Sequence, residues 1–124
     1  MIRVTLNWVG GEHEFALPIG QLRAVQQNTN AGPEELLQRM ARGAWRVDDL
    51  IEVIRQGLIG GGMKASEAGP MILKLFDQHP LAQFREVAYQ ILAAALVGVE
   101  DDPVGEPEGV TPPPENGGSA PSTD

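Results

Sequence analysis

Arg46-Val47-Asp48-Asp49-Leu50-Ile51-Glu52-Val53-Ile54-Arg55-Gln56-Gly57-Leu58, closed shortly afterwards by Gly60-Gly61-Gly62, is the stretch on which the reading of this chain turns. Val47, Leu50, Ile51, Ile54 and Leu58 recur at the three- and four-residue spacings that gather side chains on one side of an α-helix. Asp48 stands where an N-cap oxygen would meet the first free amides, and three successive glycines stop the helix. The segment predicts a helix over 48–59 with one apolar face, and that face needs other elements to cover it.

Those elements lie on both sides. Gly32-Pro33 opens a helix over 33–42 with Glu34 and Glu35 in its first turn, Arg39 and Arg42 in its last, and a stripe of Leu36, Leu37, Met40 and Ala41. Before it, Pro18 opens a shorter helix with Ile19, Leu22 and Val25 on one face, fading at Asn28-Thr29-Asn30. Downstream, Ala68, Met71, Ile72, Leu75 and Phe76 mark a fourth helix ending near His79-Pro80. Ser66 is its candidate cap, and Pro70 then falls in its first turns, where it removes a hydrogen bond. A fifth and longest helix runs from Pro80 to about Gly98, with Leu81, Phe84, Ala88, Ile91, Leu92 and Ala95 on one face. Its end, Ile91 to Val97, is apolar all round, which in so small a protein leaves surface for a partner or for self-association.

The N-terminus follows a different period. Ile2, Val4, Leu6 and Trp8 alternate with Arg3, Thr5 and Asn7, Gly10-Gly11 offers a tight turn, and Glu12 to Leu17 returns with His13, Phe15 and Leu17 on one side. A lone hairpin is marginal in water, so this one is expected to lie across the helices or to pair with another chain. The fold class is therefore mainly α: a small bundle of four to five helices with an N-terminal β-hairpin.

Length and composition set the limits. The 124 residues hold one core, and with only three Phe, two Trp and one Tyr that core is largely aliphatic. From Glu100 to Asp124 there are six prolines, seven acidic groups and no Lys or Arg, a composition that reads as a disordered acidic tail. The expected division is a helical domain over 1–99 and a tail over 100–124. Without its seven acidic groups the net charge of −8 falls to about −1, so the acidity belongs mostly to the tail. That balance disfavours nucleic acid and anionic membranes as partners. The absence of cysteine suits a reducing cytoplasm, the N-terminus has no signal-peptide pattern, and the longest apolar run falls far short of the roughly 20 residues that span a bilayer.

Catalytic parts are scarce. His13 lies on a predicted strand, His79 precedes a proline, and of the three serines Ser66 is a candidate cap while Ser119 and Ser122 are in the tail. Neither Glu12-His13-Glu14 nor Asp48-Asp49-Glu52 has the spacing of a metal site, and Gly60-Gly61-Gly62-Met63-Lys64 lacks both the glycine before lysine and the leading strand of a phosphate loop. No enzyme, cofactor or metal is expected. The helices at 33–42 and 48–59 resemble a helix-turn-helix with Arg39, Arg42, Arg46 and Arg55 on phosphates, but Asp48, Asp49 and Glu52 put negative charge at its reading end.

The Gly-bounded hairpin, Pro33-Glu34-Glu35-Leu36-Leu37, Trp45-Arg46-Val47-Asp48-Asp49-Leu50, and Ile54-Arg55-Gln56-Gly57-Leu58 with its following glycines together resemble a known family. Residues 2–98 are similar to the gene transfer agent and tailed-phage proteins classed as tail assembly chaperones, also labelled tail tube proteins. The resemblance implies a non-enzymatic protein of phage-like tail assembly that binds the tape measure protein in the bacterial cytoplasm. A structural component of the tail tube or its end is the alternative, and a DNA-binding regulator the third reading. For partner contacts the expectation is Leu92, Leu96 and Val97 at the apolar end of the last helix, with Trp8 and Trp45 as aromatic anchors.

Overall fold

The computed structural model describes residues 2–99, so the acidic segment 100–124 and the domain boundary before it lie outside the described residues. Within them an N-terminal antiparallel β-hairpin is followed by five helices, the predicted fold class. β1 (Arg3–Trp8) pairs with β2 (Gly11–Ala16) in a register running from Arg3 opposite Ala16 to Trp8 opposite Gly11. Val9 and Gly10 are thus the two turn residues, and Gly11 opens β2 at a φ of 106° instead of sitting in the turn. Gly10 answers a packing need: a Cβ there would stand 2.7 Å from the Trp8 ring and 2.9 Å from the Met71 methyl.

Ile19–Thr29 forms α1, Pro33–Arg42 α2, Val47–Gly60 α3, Ala65–Gln78 α4 and Ala82–Val97 α5. α2 has the ends its sequence dictates, with Pro33 in the first turn and Gly43 at a φ of 77° donating its N–H to the Arg39 carbonyl. α1 ends in a left-handed Asn30, one of the few side chains that tolerates that conformation.

Two caps differ from expectation. Arg46, not Asp48, is the N-cap of α3, and the capping oxygen belongs to Asp49, whose Oδ2 accepts the Arg46 main-chain N–H at 2.8 Å. Asp48 is left exposed in the first turn, because only Asp49 finds two guanidinium groups to accompany its burial. α4 likewise starts after Lys64, so Ser66 lies inside the helix and so does Pro70. The carbonyl that Pro70 deprives of a partner is that of Ser66, and both residues are exposed, where water replaces the bond.

α3 is the central element, packed against β2, α1, α4 and α5, while α2 packs against α5. Leu50, Val53 and Ile54 are fully enclosed, Gly57 lies on the same face, and the adjoining Gln56 is buried too. Gly57 allows the close approach, since a Cβ there would meet Ile91 at 3.1 Å and Phe15 at 3.2 Å. From α5, Phe84, Ala88, Ile91 and Leu92 complete the same core. Val47 and Ile19, both expected on buried faces, are the first residues of their helices and project beyond the core, 44% and 69% exposed.

Candidate protein-binding surface

The five residues expected to contact a partner have very different surroundings. Leu92 is completely enclosed and Trp8 is only 9% exposed. The Trp8 indole stands edge-on to Phe15 and Phe84, with centroids 5.7 and 6.3 Å away, and its Nε1–H donates to His13 Nδ1 at 2.9 Å. Both side chains serve the core of the single chain, because hairpin and helices close over them. Trp45 is half-buried in the link between α2 and α3 and packs against the core. Leu96 is half-buried, and Val97 is 81% exposed.

Exposed apolar side chains gather instead where the hairpin begins and α5 ends. Ile2, Leu17, Pro18, Ile19, Leu22 and Ala95 line an open cleft of about 370 Å³, and Val97 and Val99 follow Ala95 along the chain. Ile2, Ile19 and Val99 were not among the expected contacts. Ile19 was hidden by its helical spacing, which placed it on a buried face; the only signal available was its position as the first residue after Pro18. Trp45 does not belong to this end. The guanidinium of the adjacent Arg46 reaches the carbonyl of Thr29, the last residue of α1, whereas Ile19 is the first.

Three of the four arginines of the helix-turn-helix reading are engaged internally, and Arg42 is exposed. Arg39 reaches Asp49 at 3.2 Å and Glu35 at 2.9 Å, Arg46 reaches the same Asp49 at 3.0 Å, and Arg55 pairs with Glu52 at 2.8 Å. Burial works against the Arg39 charge, but the bonds to Asp49 and Glu35 outweigh it and hold its pKa above the usual value. α3, the supposed reading helix, packs against four other elements, and the side it leaves partly open bears the acidic Asp48 and Glu52, with Arg55 paired to Glu52.

The two imidazoles have separate aromatic neighbours. His13 lies against Trp8 at 5.9 Å and His79 against Phe84 at 6.4 Å. Among the described residues, no three His, Asp or Glu side chains are grouped as metal ligands would be, and no helix is long and apolar enough to cross a membrane. What the surface offers is apolar area and polypeptide backbone, the materials of protein–protein contact.

No curated protein and no solved structure gives a significant match to the chain. A family model does, over residues 1–98, and its family is described as phage tail tube protein, GTA-gp10. That span takes in the hairpin and all five helices, and the description points to a structural and not an enzymatic role. The chain belongs to this gene transfer agent and phage tail family.

Proposed function

We propose that this protein is a tail assembly chaperone, a non-enzymatic binder that holds the tape measure protein in the bacterial cytoplasm until the tube forms around it. The observation that carries the reading is exposed apolar surface: Ile2 and Ile19 stay exposed at the cleft, and Val97 and Val99 at and just beyond the end of α5, although the core beneath is closed. A folded domain that leaves such a patch in water has a use for it in binding. Leu96 and Val97 are the contacts retained from the sequence reading. Leu92 contributes by supporting them from inside, and Trp8 and Trp45 by packing.

Co-expression with the tape measure protein tests this. The native chain is expected to keep that protein in the soluble fraction and to co-purify with it, whereas Val97→Asp combined with Ile19→Asp loses both effects with the melting temperature unchanged. Co-purification undiminished by the double substitution would overturn the assignment of the surface, and no co-purification of the native chain would overturn the role.

The family description favours a second reading, a structural component of the tube or its end. Mass spectrometry of purified particles separates the two. A transient chaperone is absent from finished particles, and a tube component is present in stoichiometric amount.

A further inference from the structure

The hairpin has two edges, and the described residues cover only one of them. The carbonyls of Glu14 and Ala16 on β2 point at the end of α3, so closely that a Cβ on Gly61 or Gly60 would lie 1.9 or 2.0 Å from them. In an antiparallel pair, main-chain groups alternate between facing the partner strand and facing away. Glu14 and Ala16 therefore face away from β1, and by register so do Thr5 and Arg3, with Asn7 opposite Glu12 continuing the series. Among the described residues, the outward amides of Arg3, Thr5 and Asn7 donate no hydrogen bond and their outward carbonyls accept none.

This free edge borders a trough. Two hollows of about 530 and 430 Å³ lie between β1 and α5, and Glu86 and Gln90 line both. Val4, Leu6 and Val87 make the trough apolar, and the Glu86 carboxylate, which accepts the Gln90 amide at 2.9 Å, stands at its middle. The trough follows the six residues of β1, about 20 Å of extended chain.

Two occupants are excluded by what they would bring. The residues after Val99 carry seven acidic groups, six prolines and no cation, so they would meet Glu86 with like charge and lack many of the amides an edge strand must donate. A second copy joined edge to edge would add its own α5 at a strand spacing of roughly 5 Å. A helix with its side chains is about 10 Å wide, so two α5 helices, each packed beside its own β1, would collide when the strands close to that spacing.

We propose that the edge of β1 and the facing side of α5 form a docking trough for one extended segment of a different polypeptide, which adds to the hairpin as a third strand. Its chemistry follows from the walls. Main-chain groups pair with Arg3, Thr5 and Asn7, alternate apolar side chains face Val4, Leu6 and Val87, and a Lys or Arg meets Glu86. The inference holds whether the protein is a chaperone or a tube component.

The test uses the full chain and the acetylated peptide Thr-Val-Thr-Lys-Thr-Val-Thr as probe, in which Lys shares one face with the two Val, with amide hydrogen exchange read by NMR. Binding is expected to slow exchange at Arg3, Thr5 and Asn7, and a version of the peptide N-methylated at alternate residues is expected to bind at least about tenfold more weakly to the unchanged protein. Thr5→Pro, which removes an outward N–H that no other strand uses, is expected to abolish binding with β2 and the helices still protected. Glu86→Lys is expected to turn preference to the same peptide with Glu in place of Lys. The proposal is overturned by unchanged exchange at those amides up to millimolar peptide, by equal affinity of the methylated peptide, or by dimers that protect the same amides without any peptide. Failure of these tests leaves the tape measure reading to its own co-expression result.

Discussion

Gly60 touches Ala16 so closely that the smallest side chain cannot be added: a Cβ on Gly60 would lie 2.0 Å from the Ala16 carbonyl oxygen and 2.8 Å from the Pro18 ring. The glycine run that ends α3 is therefore also the surface on which β2 rests. Gly60→Ala is expected to push hairpin and helix apart and cost about 3 kcal/mol in urea denaturation. Gly20→Ala is the control. Nothing lies within 4 Å of a Cβ at Gly20 in α1, so this change is expected to stabilise the protein by about 0.5–1 kcal/mol. Similar values for the two would show that the approach of α3 to β2 is not tight.

Asp49 joins three segments. Its carboxylate takes the Arg46 N–H and both the Arg39 and Arg46 guanidinium groups, and its side chain is fully enclosed. Asp49→Ala removes the cap of α3 and leaves Arg39 with Glu35 alone, so a loss of about 3 kcal/mol is expected in thermal or urea unfolding. Asp48→Ala, at an exposed position, is expected to change stability by less than about 0.5 kcal/mol.

Trp8 contributes both ring and donor. Trp8→Phe keeps an edge-on aromatic near Phe15 and Phe84 but deletes the bond to His13, leaving a gap beside Gly10. A cost of about 1–2 kcal/mol is expected, with loss of chemical-shift dispersion confined to the hairpin. A neutral substitution would mean that the indole N–H is satisfied equally well by water.

Two leucine and valine positions on α5 separate core from surface. Leu92→Ala is expected to cost about 3 kcal/mol by opening a cavity among enclosed side chains, and Val97→Asp is expected to leave the melting temperature within about two degrees. Calorimetry of both variants checks this.

Ending the chain after Val99 is expected to leave the melting temperature nearly unchanged while lowering solubility, since the segment removed carries seven acidic groups and few apolar residues. A fall of several degrees would show that the residues from 100 onward contribute to the folded domain.

Much of the fold was legible because local rules and global packing agree. Pro33 and Gly43 bracket α2, and the spacing of Leu50, Ile54 and Leu58 marks the face that α3 buries. The buried face of β1 followed from alternation, whereas the turn falls at Val9-Gly10 and not at Gly10-Gly11 as the two glycines suggested. The caps were misread where two residues of similar chemistry stand side by side. Asp48 and Asp49 are equal as local signals, and the guanidinium groups that choose between them come from α2 and from the α2–α3 link. The contact residues were legible only in part for the same reason: Leu92 and Val97 belong to one apolar run, and only the packing of α2 and α3 on α5 decides which of them meets water.

By itself the sequence determined the order of elements, the helical and strand periods, the aliphatic character of the core and the placement of acidity at the C-terminal end, all properties that depend on neighbours a few residues away. Only the tertiary structure decided that, among the described residues, one hairpin edge is sealed by glycines of α3 and the other left open beside α5, and that the apolar cleft lies where Ile2 and Ile19 meet the end of α5. Those outcomes depend on the distance between segments far apart in the chain, and burial and free main-chain groups are set by that distance, which no local pattern encodes.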